Sequence, residues 1–336
     1  MIKQAIAKLV DRQPITRDEA YHSLKAIMSG EASDAQIAAF ITALRMVGET
    51  AEVIAGAAEA MREACTPVLT KHARIVDTCG TGGDGTHTFN ISTTAAFVTA
   101  GAGVPVAKHG NRSVSSKCGS ADVLKELGVD ITVAPELMTQ CLDEIGIAFL
   151  FAPSLHPAMK HAIGPRRELG IRTIFNILGP LSNPASSKRG VLGVYHSDLV
   201  KLVADAAAAT GSEHLFVVHG RDGLDEITNT AETIISEVCK DGINHFEIKP
   251  EDFGMDRAKP DDLVGGEPGE NAAITRAILE GEEGPKRDIV VLNAGAAICS
   301  GGDVQGMAAG VEQAQASIDS GAARDKLDTL IARTNG

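Results

Sequence analysis

Two adjacent carboxylates, Asp225 and Glu226, close the run Val217-Val218-His219-Gly220-Arg221-Asp222-Gly223-Leu224-Asp225-Glu226. A strand-like stretch ends there in a glycine-rich turn that presents hard oxygen ligands. Such ligands suit Mg2+, above all when phosphates complete its shell. Neighbouring acids in a loop are usually just solvated, so their weight depends on what accompanies them. Four glycines fall within residues 80–85, and Asn90-Ile91-Ser92-Thr93 follows. Glycine lets several N–H groups approach one anion, and a helix start adds partial positive charge. A plain turn is the common meaning of clustered glycines. The position between a strand and a helix favours phosphate. Gly80, Gly82 and Gly85 formally match G-x-G-x-x-G, but the dinucleotide fingerprint needs its helix at the loop and an acid about twenty residues on. Here the helix is expected from an N-cap at Ser92 to a stop at Gly101, and the next strand runs into Lys108 and His109. No Gly-Lys-Ser/Thr follows, which excludes a Walker A loop. Asp84 inside the loop would repel a bare phosphate, so the ligand should also offer hydroxyls or a metal.

Lys108-His109-Gly110-Asn111-Arg112-Ser113-Val114-Ser115-Ser116 follows a second strand, and Gly119-Ser120 opens a helix. Two cations, an imidazole and several hydroxyls suit a polyanion that also carries hydroxyl groups. Alone, the stretch could equally be a solvated loop. His109 is open to three readings: a base, a ligand contact or a loop residue. A third motif runs from His156-Pro157 to Pro165-Arg166-Arg167-Glu168. Paired arginines usually mark a helix surface, yet a site gripping a carboxylate would use this planar fork. Residues 172–185, rich in Gly-Pro and Asn-Pro turns, read as an ordered crossover between domains.

The elements that must position these motifs can be read from period and punctuation. Residues 1–66 read as all-helical. Thr16-Arg17-Asp18-Glu19 and Ser33-Asp34-Ala35-Gln36 are capping-box patterns, and Ile37, Phe40, Ile41, Leu44 and Val47 keep helical spacing. A further helix is expected over 50–64. From residue 73 strand-like runs lie at 74–77, 104–107, 129–133, 147–151, 190–195, 214–219 and 233–239, with helices at 120–127, 135–145 and 198–210 between them. That is a βα succession with a largely parallel sheet, whose ligands sit at the carboxyl ends of the strands. The expected fold class is α/β: a small N-terminal helical bundle domain plus a larger α/β domain with a mostly parallel central sheet.

Composition sets the outer bounds. The 336 residues suggest about two domains. Lys and Arg number 31 against 44 Asp and Glu, a formal charge of −13. That balance argues against nucleic acid or an anionic membrane as the main partner. Six scattered cysteines form no C-x-x-C pair and read as reduced, in a cytoplasmic protein without structural zinc. Cys79 and Cys118 lie near the glycine-rich loops and read as packing residues. No run of 18 apolar residues appears, and the N-terminus lacks a signal-peptide pattern.

Taken together, the motifs resemble those of the anthranilate phosphoribosyltransferases, a nucleoside-phosphorylase-like family. The resemblance rests on GTGGD (80–84), NIST (90–93), KHGNRSVSS (108–116), GSADVL (119–124), GPRRELGIRTIFNILGPLSNPA (164–185) and HGRDGLDE (219–226), and it spans essentially the whole chain. The family often has Pro-Val-Arg where this chain has Gly164-Pro165-Arg166. The resemblance implies a helical domain over 1–68, joined by part of 155–185, and an α/β domain over 73–336. The implied reaction, the second step of tryptophan biosynthesis, displaces pyrophosphate from 5-phosphoribosyl 1-diphosphate (PRPP) by the anthranilate amine, with inversion at ribose C1.

By the same resemblance Gly80, Gly83, Asp84, Thr88, Asn90, Ile91, Ser92, Thr93, Lys108 and Ser120 contact PRPP, and the 108–116 loop, His109 to Ser116, folds over it. Gly80, Asn111 and Arg166 contact anthranilate. Ser92 and Glu226 hold one Mg2+, and Asp225 with Glu226 a second. A homodimer through the helical domain is implied, with no membrane or nucleic-acid partner. No general base is evident apart from His109. Two other readings share the fold: a pyrimidine nucleoside phosphorylase, separable by thymidine phosphorolysis, and a non-enzymatic nucleic-acid binder, separable by salt-dependent DNA binding.

Overall fold

The computed structural model describes residues 1–113, 117–302 and 304–336. Four helices come first: α1 (Ile2–Val10), α2 (Arg17–Met28), α3 (Asp34–Val47) and α4 (Ala51–Glu63). Both expected capping boxes form. The Thr16 hydroxyl accepts from the Glu19 N–H while the Glu19 carboxylate accepts from the Thr16 N–H, and Ser33 and Gln36 do the same.

The remainder runs β1 (Val76–Gly80), α5 (Ile91–Gly101), β2 (Val106–Gly110), α6 (Ser120–Leu127), α7 (Pro135–Ile145), β3 (Ile147–Phe151), α8 (Ala152–Leu155), α9 (Lys160–Leu169), α10 (Phe175–Leu178), β4 (Arg189–Gly193), α11 (Asp198–Ala209), β5 (His214–Gly220), β6 (Thr233–Cys239), β7 (Gly242–Ile248), α12 (Pro268–Leu279), α13 (Pro285–Gly301), α14 (Met307–Asp319) and α15 (Ala322–Asn335). The strands form one sheet in the order β3-β2-β1-β4-β5-β6-β7. The first five in that order are parallel, and β6 and β7 are antiparallel.

Chain order reverses across the sheet at β1. From it β2 and β3 build one way, β4 and β5 the other, so the crevice beyond the ends of β1 and β4 is the topological switch point. One core lies between the sheet and α5, α6, α7 and α12 to α15. A second joins the four-helix bundle, α10 and α11 to the opposite sheet face, through Leu192, Val194, Leu215 and Val217. No helix among the described residues is long and apolar enough to cross a membrane.

Three local expectations change. Residues 129–133 are not a strand. Val129 and Ile131 are buried, but Asp130 Oδ1 accepts from the Thr132 N–H (2.8 Å) and hydroxyl (2.6 Å), and this local turn replaces ladder pairing. A further strand, β7, pairs with β6 across the two-residue turn Lys240-Asp241. Finally, α5 starts at Ile91 rather than after a Ser92 cap, because Asn90 stands at the N-cap with its side chain engaged elsewhere. That helix includes Gly101, and the left-handed glycine follows at Gly103.

Candidate active site

Strand β1 runs on to Gly80, further than expected, and delivers the glycine loop directly to the switch point. Gly82, Gly83 and Gly85 all have positive φ, between 66° and 78°, which L-side chains adopt with difficulty. Beneath them lies Asp225, from the turn after β5. The Gly82 N–H donates to Asp225 Oδ2 at 2.7 Å. A Cβ on Gly193, at the end of β4, would stand 1.6 Å from the Asp225 carbonyl oxygen. Glycine at that strand end is therefore what admits the acidic turn to the rim.

Asp225 and Glu226 are half-buried side by side, and both carboxyls are held above their ordinary range. Burial is the main cause. Asp84 adds repulsion to both, and Asp225 to Glu226. Lys108 and the Ser92 backbone N–H pull the Glu226 carboxyl the other way. Lys108 is itself buried, its ammonium donating to the Thr78 carbonyl and lying 3.4 Å from Ser92 Oγ. Burial pulls its pKa down, and Asp77, Cys79 and Glu226 hold it up. One cation thus faces a larger set of crowded carboxylates. A hard divalent cation fits that deficit and that oxygen-rich donor set.

The rim is framed from below by a set of polar contacts. Buried Asp77 accepts from the His109 N–H (3.1 Å) and from Asn183 Nδ2 (2.7 Å), and Asn183 also donates to the Ala107 carbonyl at 2.8 Å. Asn90 Nδ2 donates to the Cys118 carbonyl (3.3 Å), and its Oδ1 accepts from Asn271 Nδ2 (3.0 Å). The loop's far side is strapped to residues 263–265: Thr88 bridges Val264, and the Phe89 N–H donates to the Leu263 carbonyl at 3.2 Å. Arg172, taken as part of a crossover, donates to the Gly83 carbonyl and lies 4.0 Å over the Tyr195 ring. It lies inside the 164–185 motif, where no role was assigned to it.

The other expected residues fall as follows. Ile91 and Thr93 are buried on α5, and Ile91 can offer only its backbone to the rim. Asp84 accepts from the Thr86 hydroxyl at 2.6 Å. Gly110 ends β2, and Ser120 bonds back to Asn111, accepting its N–H (3.2 Å) and donating to its carbonyl (3.1 Å). Arg112 is exposed with its guanidinium 5.8 Å from the Phe151 ring, and the Ser113 N–H donates to Asp122 Oδ2 at 3.1 Å. Val114, Ser115 and Ser116 lie outside the described residues.

His109 pairs with His156, the ring centroids 5.0 Å apart, and both are buried. Burial pushes His109 down to about 3, helped by His156 and Lys108, and pushes His156 down to about 4. Both rings are therefore neutral at ordinary pH. Backbone groups of Gly179 and Ser182 reach them. The same segment supplies Phe175, whose ring lies 5.0 Å from the Arg166 guanidinium. Arg166 is half-buried on α9, its pKa lowered by burial, and among the described residues no carboxylate pairs with it. Arg167 is exposed. Segment 175–182 thus links Arg166 to the histidine pair, and the His109 N–H and Lys108 link that pair to the rim.

Cys79 and Cys118 are thiols held well up, mainly by burial, Cys118 at about 11, which suits packing rather than nucleophilic roles.

Comparison with known proteins gives the family. The model of the glycosyl transferase family a/b domain matches residues 72–324, and that of the family's helical bundle domain matches residues 3–65. Anthranilate phosphoribosyltransferase from Desulfosudis oleivorans is 54% identical over 339 residues, covering 100% of both chains. The enzyme from Moorella thermoacetica is 52% identical, over 99% of this chain and 98% of its own. Among solved structures, anthranilate phosphoribosyltransferase from Thermus thermophilus superposes with a TM-score of 0.94 at 42% identity, covering 99% of each chain. The Saccharomyces cerevisiae enzyme in complex with PRPP and Mg superposes at 0.91, with 30% identity over 99% of this chain and 98% of that one. The chain belongs to the anthranilate phosphoribosyltransferase family.

Proposed function

We propose that the chain transfers the 5-phosphoribosyl group of PRPP to the amine of anthranilate, giving N-(5-phosphoribosyl)anthranilate and pyrophosphate. The observation that carries this reading is the meeting, at the switch point, of a positive-φ glycine loop with the crowded Asp225 and Glu226 carboxylates. A polyanion alone would be repelled there. A magnesium-bound diphosphate is not. Bound Mg2+ would neutralise charge building on the leaving diphosphate, one ion held by Ser92 and Glu226 and a second by Asp225 with Glu226.

The chain's own residues position the reactants. Backbone N–H groups of 80–85 and of the α5 start receive phosphate oxygens. Gly80, Gly83, Asp84, Thr88, Asn90, Ser92, Thr93, Lys108 and Ser120 surround PRPP, with the segment His109 to Ser113 beside it. Arg166 grips the anthranilate carboxylate, supported by Gly80 and Asn111, and so aims the amine at C1. The new C1–N bond forms as the C1–O bond breaks and its electron pair leaves with pyrophosphate. The nitrogen then sheds its proton. His109, held down to about 3 by burial, is neutral at ordinary pH and lines the pocket beside His156.

The helical part, residues 1–68 with part of 155–185, forms one domain and residues 73–336 the other. The bundle is the face through which a second copy docks in a cytoplasmic homodimer. The test is whether PRPP, anthranilate and Mg2+ yield pyrophosphate. Thymidine phosphorolysis without anthranilate turnover would replace this reading.

A further inference from the structure

The sheet end remote from the rim holds a second group of ligand-type side chains. Strand β5 begins at His214 and β6 ends at Cys239, and the two residues are direct antiparallel partners. Glu237, two residues back on β6, shares their face by the period-two alternation of a strand. Phe216, Val218 and Ile235 lie on that same face and belong to the core beneath α13, which fixes the direction in which all three side chains point. His214 Nε2 stands 2.9 Å from Glu237 Oε1. One ligand atom from each of His214, Glu237 and Cys239 lies within 4.8 Å of the other two. The side chains of His214 and Glu237 keep 19% and 21% exposure, enough for an ion to enter. The 7 residues of β5 separate this group from the rim by roughly 20 Å.

Surroundings favour a cation. The last turn of α13 carries buried Cys299, close enough to feel the Glu237 carboxylate and to be felt by Cys239. A helix C-terminus presents partial negative charge. The nearby Arg189 guanidinium is already engaged with Glu213 at 3.0 Å. The cysteine spacing concealed this arrangement, because strand register, not a C-x-x-C motif, assembles it.

We propose that His214, Glu237 and Cys239 bind a borderline divalent metal ion of the Zn2+ class, at a site separate from the carboxylate rim. One imidazole nitrogen, one carboxylate oxygen and one sulfur make a donor set that Zn2+ accepts and that Mg2+, which prefers oxygen alone, does not. Three protein ligands leave a position for water. An ion there fastens β6 to β5 below the strand that leads to Asp225 and Glu226.

The test uses metal-stripped protein titrated with Co2+ alone. Oxygen ligands at the rim give no sulfur-to-cobalt charge transfer, so a near-ultraviolet band reports thiolate ligation specifically. The expected result is such a band saturating at one ion per chain, bleached by Zn2+, and lost in Cys239→Ser. His214→Ala and Glu237→Gln should weaken Co2+ binding by more than the roughly 10–100-fold typical of outer-shell changes, with circular dichroism unchanged. Mg2+-supported turnover of Cys239→Ser should match the parent. Absence of the band, or its persistence in Cys239→Ser, would overturn the site. Lost turnover in that variant would overturn its separation from the rim.

Discussion

The helical bundle and the strand-end rim obey opposite rules within one chain. In the bundle, α2 and α3 open with reciprocal caps, and Leu24, Ile37 and Phe40 are fully buried. Local preference and tertiary packing agree there. At the rim a lysine is buried, and carboxylates crowd until their pKa values rise. Such conflicts persist only where something else over-determines them. The difference teaches that the bundle is complete as folded, while the rim is complete only with ligand.

The sharpest way to break the comparison is Asp225→Asn with Glu226→Gln. Losing the metal ligands should cut turnover by on the order of 10³-fold, as removing several kcal/mol of charge stabilisation does, in steady-state assays of pyrophosphate release. Next comes Arg166→Ala, which should raise the anthranilate KM by roughly 10–100-fold and leave PRPP binding unaltered by calorimetry. Arg166→Lys should rescue only in part, and exposed Arg167→Ala should be mild. The reverse pattern would move the carboxylate grip to Arg167.

A smaller effect concerns pH. His109 and His156 have folded pKa values of about 3 and about 4, below the ordinary 6.5. Below that value the unfolded chain binds protons that the folded one refuses, so stability falls as pH drops. Each ring contributes up to roughly 1.4 kcal/mol per pH unit. Urea titrations at about pH 7 and about pH 5 should show the loss, and His156→Gln should make it shallower. The smallest effect belongs to the bundle. Ser33→Ala should cost about 1 kcal/mol of stability by denaturant unfolding and leave kcat unchanged.

The sequence was most legible where one local rule suffices. Capping boxes at Thr16 and Ser33, the glycine loop and the acid pair all landed where their types and spacing put them. It misled where a local pattern had a rival: Asp130 turns the apolar 129–133 stretch that alternation alone reads as a strand. The Lys240-Asp241 turn into β7 went unread because that strand is an edge, with His245, Phe246 and Glu247 exposed, so no buried face announces it. Within the site, Asp77 and Asn271 were invisible as contributors, and His156 and Asn183 stood inside marked motifs without a role of their own. Each acts through a partner more than 25 residues away, and only the folded sheet supplies that partner.

The central claim is that the rim's charge is held for a metal-bound diphosphate at the expense of the unliganded protein. Thermal unfolding of the parent and of Asp225→Asn/Glu226→Gln, each with and without Mg2+ and PRPP, tests it most directly. Without ligand the double variant should melt no lower than the parent, because repulsion and carboxylate burial are relieved. With Mg2+ and PRPP the parent's Tm should rise, and the variant's should not. A variant that melts lower alone yet gains as much from Mg2+ and PRPP would contradict the account.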